Sequence, residues 1–336
     1  MTLLALGIGD VHEDGPLARL IPDYADMTGR EIDRVCQYGR ERGINVIFKY
    51  GDVGDSPRMS YEGQRALLRT YRRNKDMEFH VILGNHDKFS TDSAAGHSMD
   101  LLLECVPKNV HIYTEPSDVE VNGHMVRFLP WPHQNFNKRM LNVAHVETAG
   151  ALSDSGRPFE GDELYKGSAV AVLGHLHTMH KVKNRYYSGT LWQQNFGEKK
   201  KKYFHHIEWN GPDDYEITNV RFHSEYTLHT VVISSSKDLE KIPQGPKDLV
   251  KLVVRDGADV DAASWARMTN VVKVNAYRTK EELAEVVAAD LNSGQTLVID
   301  TSEFFGSWMG QQGFTEKKVK RLAKLRSRVL TGAPLR

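Results

Sequence analysis

The chain has 336 residues, and its 44 Lys and Arg balance 44 Asp and Glu, so bulk charge points to no partner. With 40% apolar residues it is too hydrophobic to be disordered and long enough for one large domain or two. Two distant cysteines, Cys36 and Cys105, argue against a disulfide framework or a thiolate metal site and fit a reducing compartment, and no apolar run approaches the roughly 20 residues that span a bilayer.

In chain order, Leu3 to Ile8, Asn45 to Tyr50 and Phe79 to Leu83 are apolar runs that each end at a glycine followed by polar residues, the pattern of buried strands with polar tips. Thr28-Gly29-Arg30-Glu31 has the form of a capping box ahead of Ile32, Val35 and Tyr38 at helical spacing, and a second helix is expected through Leu67, Leu68 and Tyr71. Strand, helix, strand, helix, strand favours a parallel sheet with ligand sites beyond the carboxyl ends of its strands. From Val110 the runs shorten: His111 to Tyr113, Val119 to Val121, the hairpin signal Asn122-Gly123, Val126 to Leu129, Ala169 to Leu173 and Arg185 to Tyr187. The expected fold is α/β, a four-layer α/β/β/α sandwich of two packed sheets. Leu249 to Val254, Ala262 to Val271, Val272 to Tyr277, a capping box at Thr279 to Glu282 and Leu297 to Ile299 outline a smaller α+β unit. The expected domains are residues 1–225, a capping α+β domain at 226–305 and a C-terminal helix at 306–336.

The strand ends carry the chemistry. They read Asp10-Val11-His12, Gly51-Asp52-Val53-Gly54-Asp55, Gly84-Asn85-His86-Asp87 and Gly174-His175-Leu176-His177. Residues two apart on an extended chain point the same way, so Asp10 with His12, and His175 with His177, can each aim two ligands into one site. One such fragment is commonly turn chemistry; four in this order form a metal set. Imidazoles and carboxylates with an amide oxygen and no thiolate suit manganese, iron or zinc, and magnesium less well. Two divalent ions against Asp10 and Asp52 leave net positive charge for an anion, which makes a phosphoester the natural substrate.

These motifs resemble those of the calcineurin-like metallophosphoesterases: D-x-H, G-D-x-x-D, G-N-H-D/E, a further histidine, then G-H-x-H. The resemblance implies that Asp10, His12 and His177 hold one metal ion, that Asn85, His145 and His175 hold the other, and that Asp52 bridges them. His145, after the short run Leu141 to Ala144, is taken as the lone histidine, with His133 as the competitor. Phe128-Leu129-Pro130-Trp131, Tyr187-Ser188-Gly189-Thr190 and Phe196-Gly197-Glu198 further resemble segments of the SbcD-type nuclease subunits of phage and eukaryotic double-strand-break repair complexes. That similarity covers residues 1 to 210. It implies a DNA exonuclease or endonuclease acting through hydroxide held between two divalent ions, manganese above all, with magnesium, iron or zinc as alternatives. His86 is expected to serve as the general acid, with the Asp55 carboxylate fixing its tautomer, and Asp87 and Lys88 supporting the site.

His111, His124, His180, His205, His206 and His229 are expected to be ordinary surface or core residues, and Lys199 to Lys202 a solvated hairpin tip, with phosphate contact as the alternative. Residues Thr315 to Leu330 carry a charge of +6 and form an amphipathic basic pattern. Such a tail can pack on its own domain, touch DNA or dock on a coiled coil. The resemblance favours the last, since such nucleases use a C-terminal helical element to bind an SbcC-like ABC-type coiled-coil ATPase, and the chain has no G-x-x-x-x-G-K-[ST], so ATP hydrolysis is expected from that partner. It also implies a homodimer through residues 56–73 and 94–106, no membrane, and a cytoplasmic setting in a bacterium or phage-infected host. The rival functions are a small-molecule phosphodiesterase or phosphomonoesterase and a non-enzymatic scaffold. A protein Ser/Thr phosphatase is disfavoured because Asp55 is followed by Ser56-Pro57 and not Arg-Gly.

Overall fold

The first apolar run becomes strand β1 (Leu3–Ile8) of a computed structural model that describes residues 2–92, 95–154, 156–255, 258 and 270–277. Helix α1 (Tyr24–Arg40), β2 (Val46–Lys49), α2 (Tyr61–Arg73), β3 (Glu78–Ile82), the short α3 (Asp100–Leu103) and β4 (Val110–Tyr113) follow. Next come β5 (Ser117–Val121), β6 (His124–Leu129), β7 (Leu141–His145), β8 (Ala171–Gly174), β9 (His180–Val182) and β10 (Arg185–Tyr187). A long hairpin of β11 (Lys202–Gly211) and β12 (Asp214–Phe222) leads to β13 (Thr227–Ile233), β14 (Asp248–Arg255) and β15 (Val271–Tyr277).

The protein is α/β, with two large sheets and a smaller third. The first runs β12-β11-β1-β2-β3-β4, with β1 to β4 parallel and β11 antiparallel to β1. The second runs β5-β6-β7-β8-β10-β9, with a parallel centre and antiparallel edges. The third, β13-β14-β15, is parallel throughout. Period-two alternation sorts the core into layers. Leu3, Ala5, Val46, Phe48 and Ile82 of the first sheet meet Val126, Phe128, Leu141, Val143 and Val172 of the second. Leu6, Ile8, Ile47, Phe79 and Val81 face the other way, toward Ile32 and Val35 of α1 and Leu67 and Tyr71 of α2. Loop residues Trp131, Phe136 and Phe159 cover the outer face of the second sheet.

The third sheet is tied to the larger body. Leu228 and Leu249 join the core under α1 and α2, Leu228 N donates to Gln193 Oε1 at 3.0 Å, and Arg30 pairs with Glu225 at 2.7 Å. The rest of residues 226–305, with the capping box at 279–282, and all of 306–336, with the basic tail helix, lie outside the described residues.

Two local expectations are corrected. α1 begins at Tyr24, so Thr28 and Glu31 lie inside the helix and cap nothing. The Thr28 hydroxyl bonds the Ala25 carbonyl at 2.9 Å and meets Glu13, while the buried Glu31 carboxylate accepts from Ser224 Oγ at 2.7 Å and from the Glu225 amide. Tertiary partners have taken both members of the apparent box. Lys202 is likewise no hairpin tip: it opens β11, is buried, and its ammonium is 2.5 Å from Glu198 Oε2 and from Thr190 Oγ1.

Candidate metal centre

The chemistry-bearing residues gather where two parallel strand sets end. Asp10 and His12 follow β1, Asp52 follows β2, and Asn85 and His86 follow β3. On the facing sheet His145 is the last residue of β7, and His175 and His177 follow β8. The Asp52 carbonyl accepts from the amides of Val11 and His12, both at 3.1 Å, which locks the first two loops together. The Trp131 amide donates to the Leu83 carbonyl at 2.9 Å and joins the strand ends of the two sheets. His12, Asp52 and His175 have φ of 49°, 45° and 83°, a left-handed conformation that costs a non-glycine residue energy and tends to persist at functional sites.

Two separate donor groups result, each with ligand atoms within 4.8 Å of one another: Asp10, His12 and His177, and Asp52, His145 and His175; His12 also forms a group of the same span with Asp55 and His86. Asn85 Oδ1 belongs to the second, 3.0 Å from His145 Nε2 and 2.8 Å from His175 Nδ1, and Asp52 Oδ2 is 3.2 Å from His145 Nε2. An octahedral ion with bonds of ~2.1 Å sets neighbouring ligands ~3.0 Å apart, so these separations are of coordination size. Asp10 lies between the groups: its carboxylate accepts from the His175 amide at 3.0 Å and is 3.7 Å from both His145 Nδ1 and His177 Nε2. His133, the competing histidine, faces Glu115 at 3.8 Å and joins neither group.

The second nitrogen of most of these imidazoles is anchored, as metal-binding histidines require. His145 Nδ1 donates to the Tyr50 carbonyl at 2.6 Å, and His177 Nδ1 donates to Glu198 Oε1 at 2.9 Å. His175 Nε2 is 3.3 Å from Glu147 Oε1, and His12 Nδ1 is 3.2 Å from Asp55 Oδ1. Glu147 and Glu198 were missed as supporting residues. Glu147 follows His145 by two positions, an available signal; Glu198 stands 21 residues past His177, and its place in Phe196-Gly197-Glu198 was the sole pointer. Glu198 also contacts buried Lys202 and accepts from the Gln194 amide at 3.1 Å, so it is fixed before it fixes His177. Asp87 binds the amides of Val53, Gly54 and Gly84 and the Ser98 hydroxyl, stapling the second motif to the third. Lys88 turns away, to the Thr114 carbonyl.

The expected Asp55–His86 pairing is corrected. The Asp55 carboxylate holds His12, and it is the Asp55 backbone carbonyl that accepts from His86 Nδ1, at 2.9 Å. His86 is exposed, its ring edge-on to His12 at 5.0 Å, and its amide donates to Asp52 Oδ1 at 2.9 Å.

Electrostatics test whether the set suits cations. Burial alone would push the imidazoles of His12 and His145 down, but Asp55, Asp52 and Asp10 around the first, and Asp52 and Asp10 around the second, raise both to about 9. Burial would push Asp52 up, yet His145, His12 and His86 hold it well below the usual carboxylate range. Glu198 is held at about 2, its burial outweighed by Lys202 and His177. A buried site that draws protons onto imidazoles has a negative potential, and divalent cations compete for the same nitrogens. His12 is 2% exposed and its Nε2 lacks a hydrogen-bond partner, a further opening for a ligand bond. The donor set fits two divalent ions.

No family model matches the chain. It is 26% identical over 215 residues to exonuclease subunit 1 of enterobacteria phage T4, a stretch that covers 58% of this chain and 61% of that protein. The chain thus spans less than two thirds of the length of the curated relative it matches. Among the described residues no helix is long and apolar enough to cross a membrane.

Proposed function

We propose that the chain is a metal-dependent phosphodiesterase that acts on DNA, the nuclease subunit of a two-component complex. One observation carries this reading: donors from five separate loops and strand ends meet in two adjoining groups with coordination-sized spacing. The likeness to a phage exonuclease subunit supports DNA as the substrate class and a second subunit as partner. Bound there, two divalent ions, manganese first, would supply positive charge for the phosphate oxygens and activate water.

The chain's own residues do the rest. Asp10, His12 and His177 would hold one ion, Asn85, His145 and His175 the other, and Asp52 would reach both. His86 stands at the exposed rim with Nδ1 donating to the Asp55 carbonyl, so that the imidazolium form would hand its Nε2 proton to the leaving sugar oxygen and be left neutral. Glu198, Glu147 and the Asp55 carboxylate orient His177, His175 and His12. We assign ATP hydrolysis to an ABC-type coiled-coil partner docked on the basic tail, and self-association to α2 and residues 94–106.

The test is to offer linear double-stranded DNA and a small chromogenic phosphodiester side by side, with manganese and with chelator. Manganese-dependent DNA degradation that far outruns turnover of the small diester is the expected result. Turnover of the small diester alone would move the chain to the small-molecule phosphodiesterases. Inertness toward both, with two ions bound, would make it a scaffold.

A further inference from the structure

We propose that Glu78, His80 and His111 form a further cation site, for a zinc-class transition-metal ion, at the end of the first sheet remote from Asp10 and Asp52. The strand register builds it. His80 and His111 are direct partners on parallel β3 and β4, and Glu78 and Tyr113 lie two residues along the same face. Their donor atoms fall within 4.8 Å of one another, with Glu78 Oε1 3.1 Å from His111 Nε2 and 3.4 Å from His80 Nε2. Zn–N and Zn–O bonds of about 2.0–2.1 Å in a tetrahedron place ligands roughly 3.3 Å apart, and both separations bracket that value.

His80 is the decisive residue. It is 2% exposed, and its Nε2 has no hydrogen-bond partner while facing Glu78. The ring cannot turn away. Nδ1 is 2.7 Å from the Tyr113 hydroxyl, Phe128 stacks at 5.3 Å, and Phe48 meets it edge-on at 5.7 Å. His111 stacks at 4.9 Å on the open side. Burial, with His111 beside it, pushes His80 down to about 3, so the imidazole is neutral and a lone pair is available at ordinary pH. Glu78 and His111 are 39% and 42% exposed, which gives an ion a way in and leaves water the fourth position. Two imidazoles and a carboxylate with one open position suit zinc, cobalt or nickel; magnesium and calcium prefer all-oxygen sets. Counting from His80 to Asn85 along the strand separates the site from the proposed catalytic centre by roughly 16 Å. The ion would clamp edge strand β4 to β3.

The experiment uses the full chain with His12→Ala, Asp52→Asn and His175→Ala, which removes a ligand from each group of the other centre, and reads zinc by equilibrium dialysis and cobalt by its visible absorption. One zinc ion per chain should remain that is lost on adding His111→Ala or Glu78→Gln. Both positions are half-exposed, and circular dichroism matching the parent verifies their fold. Each should weaken zinc binding by more than the roughly 10–100-fold that loss of an outer partner costs, and Tyr113→Phe by about that 10–100-fold itself. Zinc should also raise the melting temperature of the parent and leave that of the His111→Ala chain unmoved. Unchanged zinc stoichiometry and cobalt absorption in both ligand variants would overturn the site and reduce the cluster to a His111–Glu78 ion pair.

Discussion

Asp55 divides its two ends between two histidines, and the division separates two roles that the residue pattern alone had merged. Its carboxylate lies 3.2 Å from His12, a proposed ligand, while its backbone carbonyl accepts from His86, the proposed acid. Removing the carboxylate therefore disturbs metal binding, and removing the imidazole of His86 disturbs proton transfer. His86→Ala should retain two ions per chain by elemental analysis and lower turnover on DNA by about 10²–10⁴, the scale of general acid contributions. Normal cleavage with normal metal content would take His86 out of the mechanism. Asp55→Asn should do the reverse, weakening manganese at the Asp10, His12 and His177 group by about 10–100-fold in calorimetric titration. Its turnover at saturating metal should stay close to that of the parent.

At the level of strands and turns, each ligand depends on a backbone that lets it approach. A Cβ on Gly84, at the end of β3, would fall 2.0 Å from Asp52 Oδ1 and 2.4 Å from the Asp52 amide. Only glycine lets these two loops touch at this position. Gly84→Ala should cost about 1–3 kcal/mol, as overpacking does, and lower the bound-metal count below two; a fully loaded, equally stable variant would contradict the contact. This glycine and its companions were legible because buried parallel strands are continuous apolar runs with sharp ends, as in β1, β2 and β3. The hairpin of β11 and β12 was not, since β11 mixes Lys202, His205, His206 and Glu208 among its apolar residues. Its buried polar groups read as surface until Glu198 and Tyr50 are seen against them. The start of α1 was misplaced for a related reason: Thr28 and Glu31 have cap chemistry but are used by Glu13, Ser224 and Glu225, partners distant in sequence. The pairing of His80 with His111 depends on parallel register across 31 positions, which no local spacing reports.

Over the whole molecule, the histidines that burial and charge shift fall into two populations with opposite pH signs. His80 and His205 occupy the layer between the two large sheets, and burial pushes both down to about 3. Burial also keeps the Tyr50 hydroxyl protonated, so it donates to Nδ1 of a neutral His205 at 3.0 Å. Between pH 6.5 and about 3 the unfolded chain binds protons at these positions that the folded chain refuses, so stability falls as pH falls. The slope reaches about 1.4 kcal/mol per pH unit for each group. His12 and His145 behave oppositely: raised from 6.5 to about 9, they add stability that is complete below pH 6.5 and lost as pH rises through 9. Chelator-treated protein should therefore be most stable near pH 6.5, with both limbs visible in urea midpoints. Glu147 and Glu198, held at about 2, add their own loss only below about pH 4.5, so the window from 6.5 to 5 belongs to the lowered histidines, to which burial adds His97 and His180 beside the inter-sheet pair. His205→Leu should lower the slope in that window by up to about 1.4 kcal/mol per pH unit and leave the alkaline limb alone. Manganese should erase the alkaline limb, because an ion at His12 and His145 takes the place of the protons whose loss creates it. An alkaline limb that persists at saturating manganese would place the ions elsewhere than on these two nitrogens.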